Sequence, residues 1–98
     1  MEIIKKRNEN ELEVAVSGRL DTTTAPTLEA ELKSSIDGVS KLCFDLSELE
    51  YISSAGLRVI LATQKIMNKQ GEMVLKNVNT TVMEVFEITG FTDILNIE

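Results

Sequence analysis

The sequence predicts a single α/β domain: a mixed β-sheet opened by an N-terminal hairpin, with helices packed mainly on one face. Three observations predict it. Leu12, Val14 and Val16 alternate with Glu11, Glu13 and Ala15, the period of two that marks a half-buried strand. Two short apolar runs, Leu42-Cys43-Phe44-Asp45-Leu46 and Met73-Val74-Leu75, then alternate with stretches of helical periodicity, as parallel crossovers require. The whole is 98 residues long, room for one domain over residues 1–98, with enough chain to bury a core unaided by a metal or disulfide.

Taken in order, Glu2 to Arg7 pairs with the alternating strand through Asn8-Glu9-Asn10. Gly18 is expected to close this hairpin and Arg19 to Thr23 to form a loop. A first helix begins near Thr24, a residue type suited to the N-cap, with Pro26 in the first turn where its missing N–H costs nothing. Leu28, Leu32 and Ile36 recur at helical spacing, and Asp37-Gly38 ends the pattern. After the strand at 42–46, Ser47 to Ile52 leads into a second helix from about Ser54 to Lys69, stopped by Gln70-Gly71. Met73 to Leu75 is a buried strand. Asn79 or Thr80 caps a third helix carrying Val82, Val85, Phe86 and Ile88, with Gly90 as its stop. Ile94, Leu95 and Ile97 form a short last strand or pack under the sheet edge.

Composition excludes more than it assigns. Ten Lys and Arg against sixteen Asp and Glu give a net charge of −6, a sign that disfavours nucleic acid and anionic membranes as partners. The chain has no histidine, so it lacks Ser/His/Asp and Cys/His triads, histidine-bound metals and the usual base near neutral pH. Cys43 is the one cysteine, expected as an inert core thiol with no disulfide or four-cysteine zinc site. No glycine spacing fits a Walker loop or a dinucleotide fingerprint. Asp45, Glu48 and Glu50 read as a solvated loop in preference to a catalytic carboxylate pair. No stretch matches the apolar core of a signal peptide or a membrane span, so a cytoplasmic protein is expected. These readings point away from an enzyme, a metal site or a bound cofactor.

The segment that stands out runs from Asp45 to Leu61, where a strand, a short loop and two serines precede an amphipathic helix. Helix capping explains much of it: Ser53 suits the N-cap, and Gly56 lets the helix approach the sheet. The same position suits a second use. A helix N-terminus presents unpaired N–H groups and partial positive charge, so a serine there can carry a phosphate without harm to the fold. At about 100° per residue, Ser54, Arg58, Lys65 and Lys69 share one sector, with Ala55, Gly56, Val59, Ile60, Ala62, Ile66 and Met67 on the core-facing arc. Leu57 and Leu61 fall on the margin, either part of a wide apolar stripe or anchors for a partner.

Ser17-Gly18-Arg19-Leu20-Asp21, Thr24-Ala25-Pro26-Thr27-Leu28, Phe44-Asp45-Leu46-Ser47, Ile52-Ser53-Ser54-Ala55-Gly56-Leu57, Gly71-Glu72 and Phe86-Glu87-Ile88-Thr89-Gly90-Phe91 together resemble the STAS domain of bacterial anti-sigma factor antagonists. The resemblance spans nearly the whole chain. It implies an antagonist whose unphosphorylated form binds an anti-sigma factor serine kinase and so releases a sigma factor. It further implies inactivation by phosphorylation of one serine and restoration by a PP2C-type, metal-dependent phosphatase. The family motif Asp-Ser-Ser/Thr-Gly-Leu, anchored on Gly56-Leu57, places the modified serine at Ser54. Ser53 stands at the motif's Asp and is the rival acceptor, and Ala55 stands at its Ser/Thr. The implied partner surface comprises Asp21, Thr22, Ser53, Ser54, Leu57, Arg58 and Leu61. The departures at Ser53 and Ala55 keep a second expectation open, a constitutive STAS scaffold subunit of a stress-signalling or transporter complex.

Overall fold

The chain opens with the hairpin that the alternation predicts. In a computed structural model, which describes residues 1–98, β1 (Glu2–Asn8) runs antiparallel to β2 (Glu11–Leu20), with Lys5 opposite Val14 and Asn8 opposite Glu11. There follow α1 (Ala25–Ser35), β3 (Lys41–Asp45), β4 (Leu49–Ile52), α2 (Ser54–Gln70), β5 (Glu72–Lys76), α3 (Thr80–Thr89) and one 3₁₀ turn (Phe91–Asp93). The sheet order is β1-β2-β3-β5, with β2, β3 and β5 mutually parallel.

Register explains which face the helices cover. Val14, Phe44 and Leu75 lie in one row across the sheet and Leu12, Leu42 and Met73 in the next, all buried. With Leu28 and Leu32 from α1, Ile60 and Met67 from α2 and Phe86 from α3, they belong to a single core cluster of 23 residues. The alternate rows, such as Glu11-Lys41-Glu72, point to the opposite, uncovered face. A mixed sheet with helices mainly on one face is the architecture observed.

Three local expectations are corrected. The second strand does not close at Gly18. It passes through a bulge there, where Gly18 takes a φ of +82°, and continues to Leu20. The segment before α2 is not merely a lead-in. Leu49–Ile52 forms a strand parallel to the end of β2, pairing Gly18 with Leu49, Arg19 with Tyr51 and Leu20 with Ile52. Thr24 holds the N-cap position of α1 without capping it: its hydroxyl accepts from the Asp21 N–H and donates to the Arg19 carbonyl, both at 2.8 Å. At the other end of the chain, the last strand reduces to one parallel bridge, Leu75 with Ile97. α1 finishes under a clamp from β1, where the Arg7 guanidinium donates to the carbonyls of Ser35 and Asp37, each at 3.1 Å.

Candidate functional site

The carboxyl ends of β2 and β4 feed α1 and α2 at one rim of the sheet. The Ser53 N–H donates to the Leu20 carbonyl at 2.9 Å, which ties the start of α2 to the end of β2. Gly56 permits this. A Cβ there would stand 2.7 Å from Leu20 Cγ and 2.9 Å from Ile52 Cγ1, closer than real side chains approach. Ser53 is the N-cap, its backbone extended, and its Oγ accepts from the Gly56 N–H at a long 3.4 Å. Ser54 is the first residue of α2, and it is exposed.

The neighbouring loop is organised around Asp21. Its carboxylate accepts from the Thr23 hydroxyl at 2.7 Å, the Thr23 N–H at 3.0 Å and the Thr24 N–H at 3.2 Å. The Thr23 hydroxyl bond, ahead of the backbone bonds, holds this carboxyl below the usual carboxylate range. Asp21 therefore shapes the loop, with one further oxygen 3.8 Å from Arg19 Nε. Arg19 in turn lies over the ring of its cross-strand partner Tyr51, 4.2 Å from the centroid. This pair escaped the sequence reading because it depends on a register created by a bulge.

Between the first turns of α1 and α2 lies an open cleft of about 380 Å³, bordered by Thr22, Pro26, Glu29, Ala55, Arg58 and Ala62. It brings together Thr22 and Arg58, with Ser54 immediately before Ala55 on its border. Leu61 is half-buried on the other flank of α2. Leu57 requires a correction: at 6% exposed it belongs to the core cluster and presents no side chain to a partner. The helix is turned relative to the expected phase, so that Thr63 and Gln64 are buried while Ala62 and Ile66 border the α1–α2 cleft system at the surface.

The remaining chemistry is sparse. Cys43 is buried on the uncovered side of β3, and burial pushes its thiol upward, away from the reactive thiolate. Asp45 accepts from the Ser47 N–H at 3.1 Å and the Asn77 side chain at 3.2 Å, which lower its carboxyl, while Glu48 and Glu50 are exposed. No group of three or more Cys, Asp or Glu side chains converges as metal ligands would. No helix is long and apolar enough to cross a membrane.

The STAS domain family model matches residues 2–98. BtrV of Bordetella bronchiseptica is 41% identical over 96 residues, covering 96% of this chain and 83% of that protein. The anti-sigma-B factor antagonist of Bacillus subtilis is 34% identical over 93 residues, covering 94% of this chain and 85% of that protein. Among solved structures, an anti-sigma factor antagonist from Mycobacterium paratuberculosis superposes with a TM-score of 0.89 at 25% identity, over 98% of this chain and 83% of that one. The chain belongs to the STAS domain family.

Proposed function

We propose that this chain is an anti-sigma factor antagonist: its unphosphorylated form docks on an anti-sigma factor serine kinase, frees the sigma factor, and is switched off by phosphorylation of Ser54. The observation that carries the reading is the exposed Ser54 hydroxyl at the first position of α2, beside the cleft bordered by Thr22 and Arg58, in a STAS domain 34% identical to an anti-sigma-B factor antagonist. In the modifying step the kinase transfers the γ-phosphoryl group of ATP. The bond from Ser54 Oγ to phosphorus forms, the bond to the β-phosphate oxygen breaks, ADP leaves, and the hydroxyl proton passes to a kinase base. A PP2C-type phosphatase reverses it, water attacking phosphorus to return the serine and free phosphate.

The docking face on this reading comprises Thr22, Ser53, Ser54, Arg58 and the exposed edge of Leu61, with Asp21 holding the loop in shape. A hundredfold change in affinity needs about 2.7 kcal/mol. A phosphate forced against a partner that expects a neutral hydroxyl supplies that through repulsion and lost contacts.

The test is direct. The chain, Ser54→Ala and Ser54→Asp are titrated against the candidate kinase, and intact-mass analysis after incubation with ATP is followed by site mapping between Ser53 and Ser54. Expected are one phosphate on Ser54, tight binding of the wild type and Ser54→Ala, and loss of binding by Ser54→Asp. Phosphate only on Ser53 transfers the switch to that residue. Stable co-purification with a non-kinase partner, indifferent to every Ser54 change, replaces this reading with that of a constitutive scaffold subunit.

A further inference from the structure

We infer that Arg58 acts as an intramolecular latch for a phosphate on Ser54, folding back one turn of α2 to pair with it, so that modification withdraws a cation from the docking surface as well as adding negative charge. The inference rests on the phosphorylation reading above. Ser54 and Arg58 are separated by one helical turn on the same exposed sector, with Cβ atoms about 5–6 Å apart by helix geometry. The order is the favourable one, anion before cation along the helix.

Arg58 is also available. The chain has three arginines. Arg7 is committed to the carbonyls of Glu9, Ser35 and Asp37, and Arg19 to Tyr51 and Asp21. Arg58 takes part in no ion pair and no side-chain hydrogen bond. Its surroundings hold few competitors. Glu29 borders the same cleft but lies 3.6 Å from Lys33, and the Asp21 carboxylate is filled by Thr23 and Thr24. Lys65, the next cation on this sector, stands eleven residues on, about 16 Å along the axis and beyond reach of Ser54. The cleft gives the guanidinium room to turn. Its planar fork can offer two parallel N–H bonds to phosphate oxygens, which an ammonium cannot.

The experiment encodes phosphoserine genetically at position 54, so that no kinase is needed, in the wild type, Arg58→Gln and Arg58→Lys. Arg58 is exposed, so these variants keep the fold. The midpoint of the second phosphate ionisation is followed by phosphorus NMR. With the latch in place, Arg58→Gln raises that midpoint by about 0.3 pH units, a shift of the size expected for an ion pair one turn apart. Arg58→Lys falls between, and the Arg58 Nε–H resonance of the wild type moves on phosphorylation. A midpoint indifferent to Arg58, or an unmoved Nε–H resonance, overturns the inference. Failure of the kinase to modify Ser54 bears on the proposed function alone, because the encoded phosphate reports the latch regardless.

Discussion

Asp21 and Asp45 show how single residues shape the rim of the sheet. Asp21 is fixed by donors of its own loop, the Thr23 hydroxyl first and then the Thr24 and Thr23 amides, and Asp45 by the Ser47 amide of its own loop and then Asn77 from the loop after β5. Both carboxyls are held below their ordinary values, so the folded chain favours their charged forms. The sign follows. The stability they contribute is complete above the unfolded value of about 3.9 and is lost as pH falls through the lower folded values. Urea midpoints taken from about pH 6 down to about pH 2 are therefore expected to decline below about pH 5. In Asp21→Asn with Asp45→Asn the decline is shallower. Equal slopes in wild type and double variant would exclude these two loops as the source. The residue types of the first loop were visible in Asp21-Thr22-Thr23-Thr24, but the roles were not. Thr24 reads as a cap in sequence, and it closes a turn in space because Arg19 offers it a carbonyl at 2.8 Å.

At the scale of elements, two helices depend on caps of different quality. Asn79 Oδ1 accepts from the Val82 N–H at 2.9 Å, and its Nδ2 donates to the Leu49 carbonyl, so one side chain starts α3 and fastens it to β4. Ser53 makes one long bond of 3.4 Å to Gly56. Asn79→Ala is accordingly expected to cost about 1–2 kcal/mol, a lost cap plus a stranded carbonyl, whereas Ser53→Ala costs about 0.5 kcal/mol. Urea denaturation of both variants checks the order, and equal costs would show that the bond to Leu49 contributes nothing. The start of α3 at Asn79 and the start of α2 after Ser53 are legible in sequence because caps are local chemistry. β4 is not legible, since Leu49 and Ile52 are buried while Glu50 and Tyr51 between them are exposed, a pattern without alternation. The phase of α2 is hidden for a related reason. Hydropathy alone counts Ala62 and Ile66 toward the core and Gln64 away from it, turning the helix by roughly 70°. Two bonds that hydropathy does not register offset part of the cost of burying Thr63 and Gln64: the Thr63 hydroxyl donates to the Val59 carbonyl, and Gln64 Nε2 donates to Asn68, while the buried Gln64 Oε1 has no partner. That rotation is what carries Leu57 into the core and leaves Ser54 and Arg58 exposed, with Leu61 half-buried.

For the whole molecule, the proposed switch raises the question whether a phosphate on Ser54 would act through stability or through the surface. The phosphate adds about 1.5–2 negative charges to a chain whose net charge is already −6. Apparent affinity falls in proportion to the folded fraction, so weakening the docking a hundredfold by unfolding would leave only about 1% of the molecules folded. The architecture opposes that route. Ser54 is exposed at the first turn of α2, and the core cluster beneath it is closed by residues from β2, β3, β5 and all three helices. Ser54 is not among them, and a phosphate at the first position of α2 meets the end of the helix that favours anions. Encoded phosphoserine at position 54 is therefore expected to leave the melting temperature within a few degrees of the unmodified chain. Amide shifts should be confined to the first two turns of α2 and the loop from Asp21 to Thr24. Kinase affinity should fall by about a hundredfold in the same samples. Calorimetry, amide spectra and a binding titration on one preparation read all three quantities. A melting transition brought down to the assay temperature, or shifts spread through β3 and β5, would mean that modification works by loosening the domain, and the account of an interface switch would then be wrong.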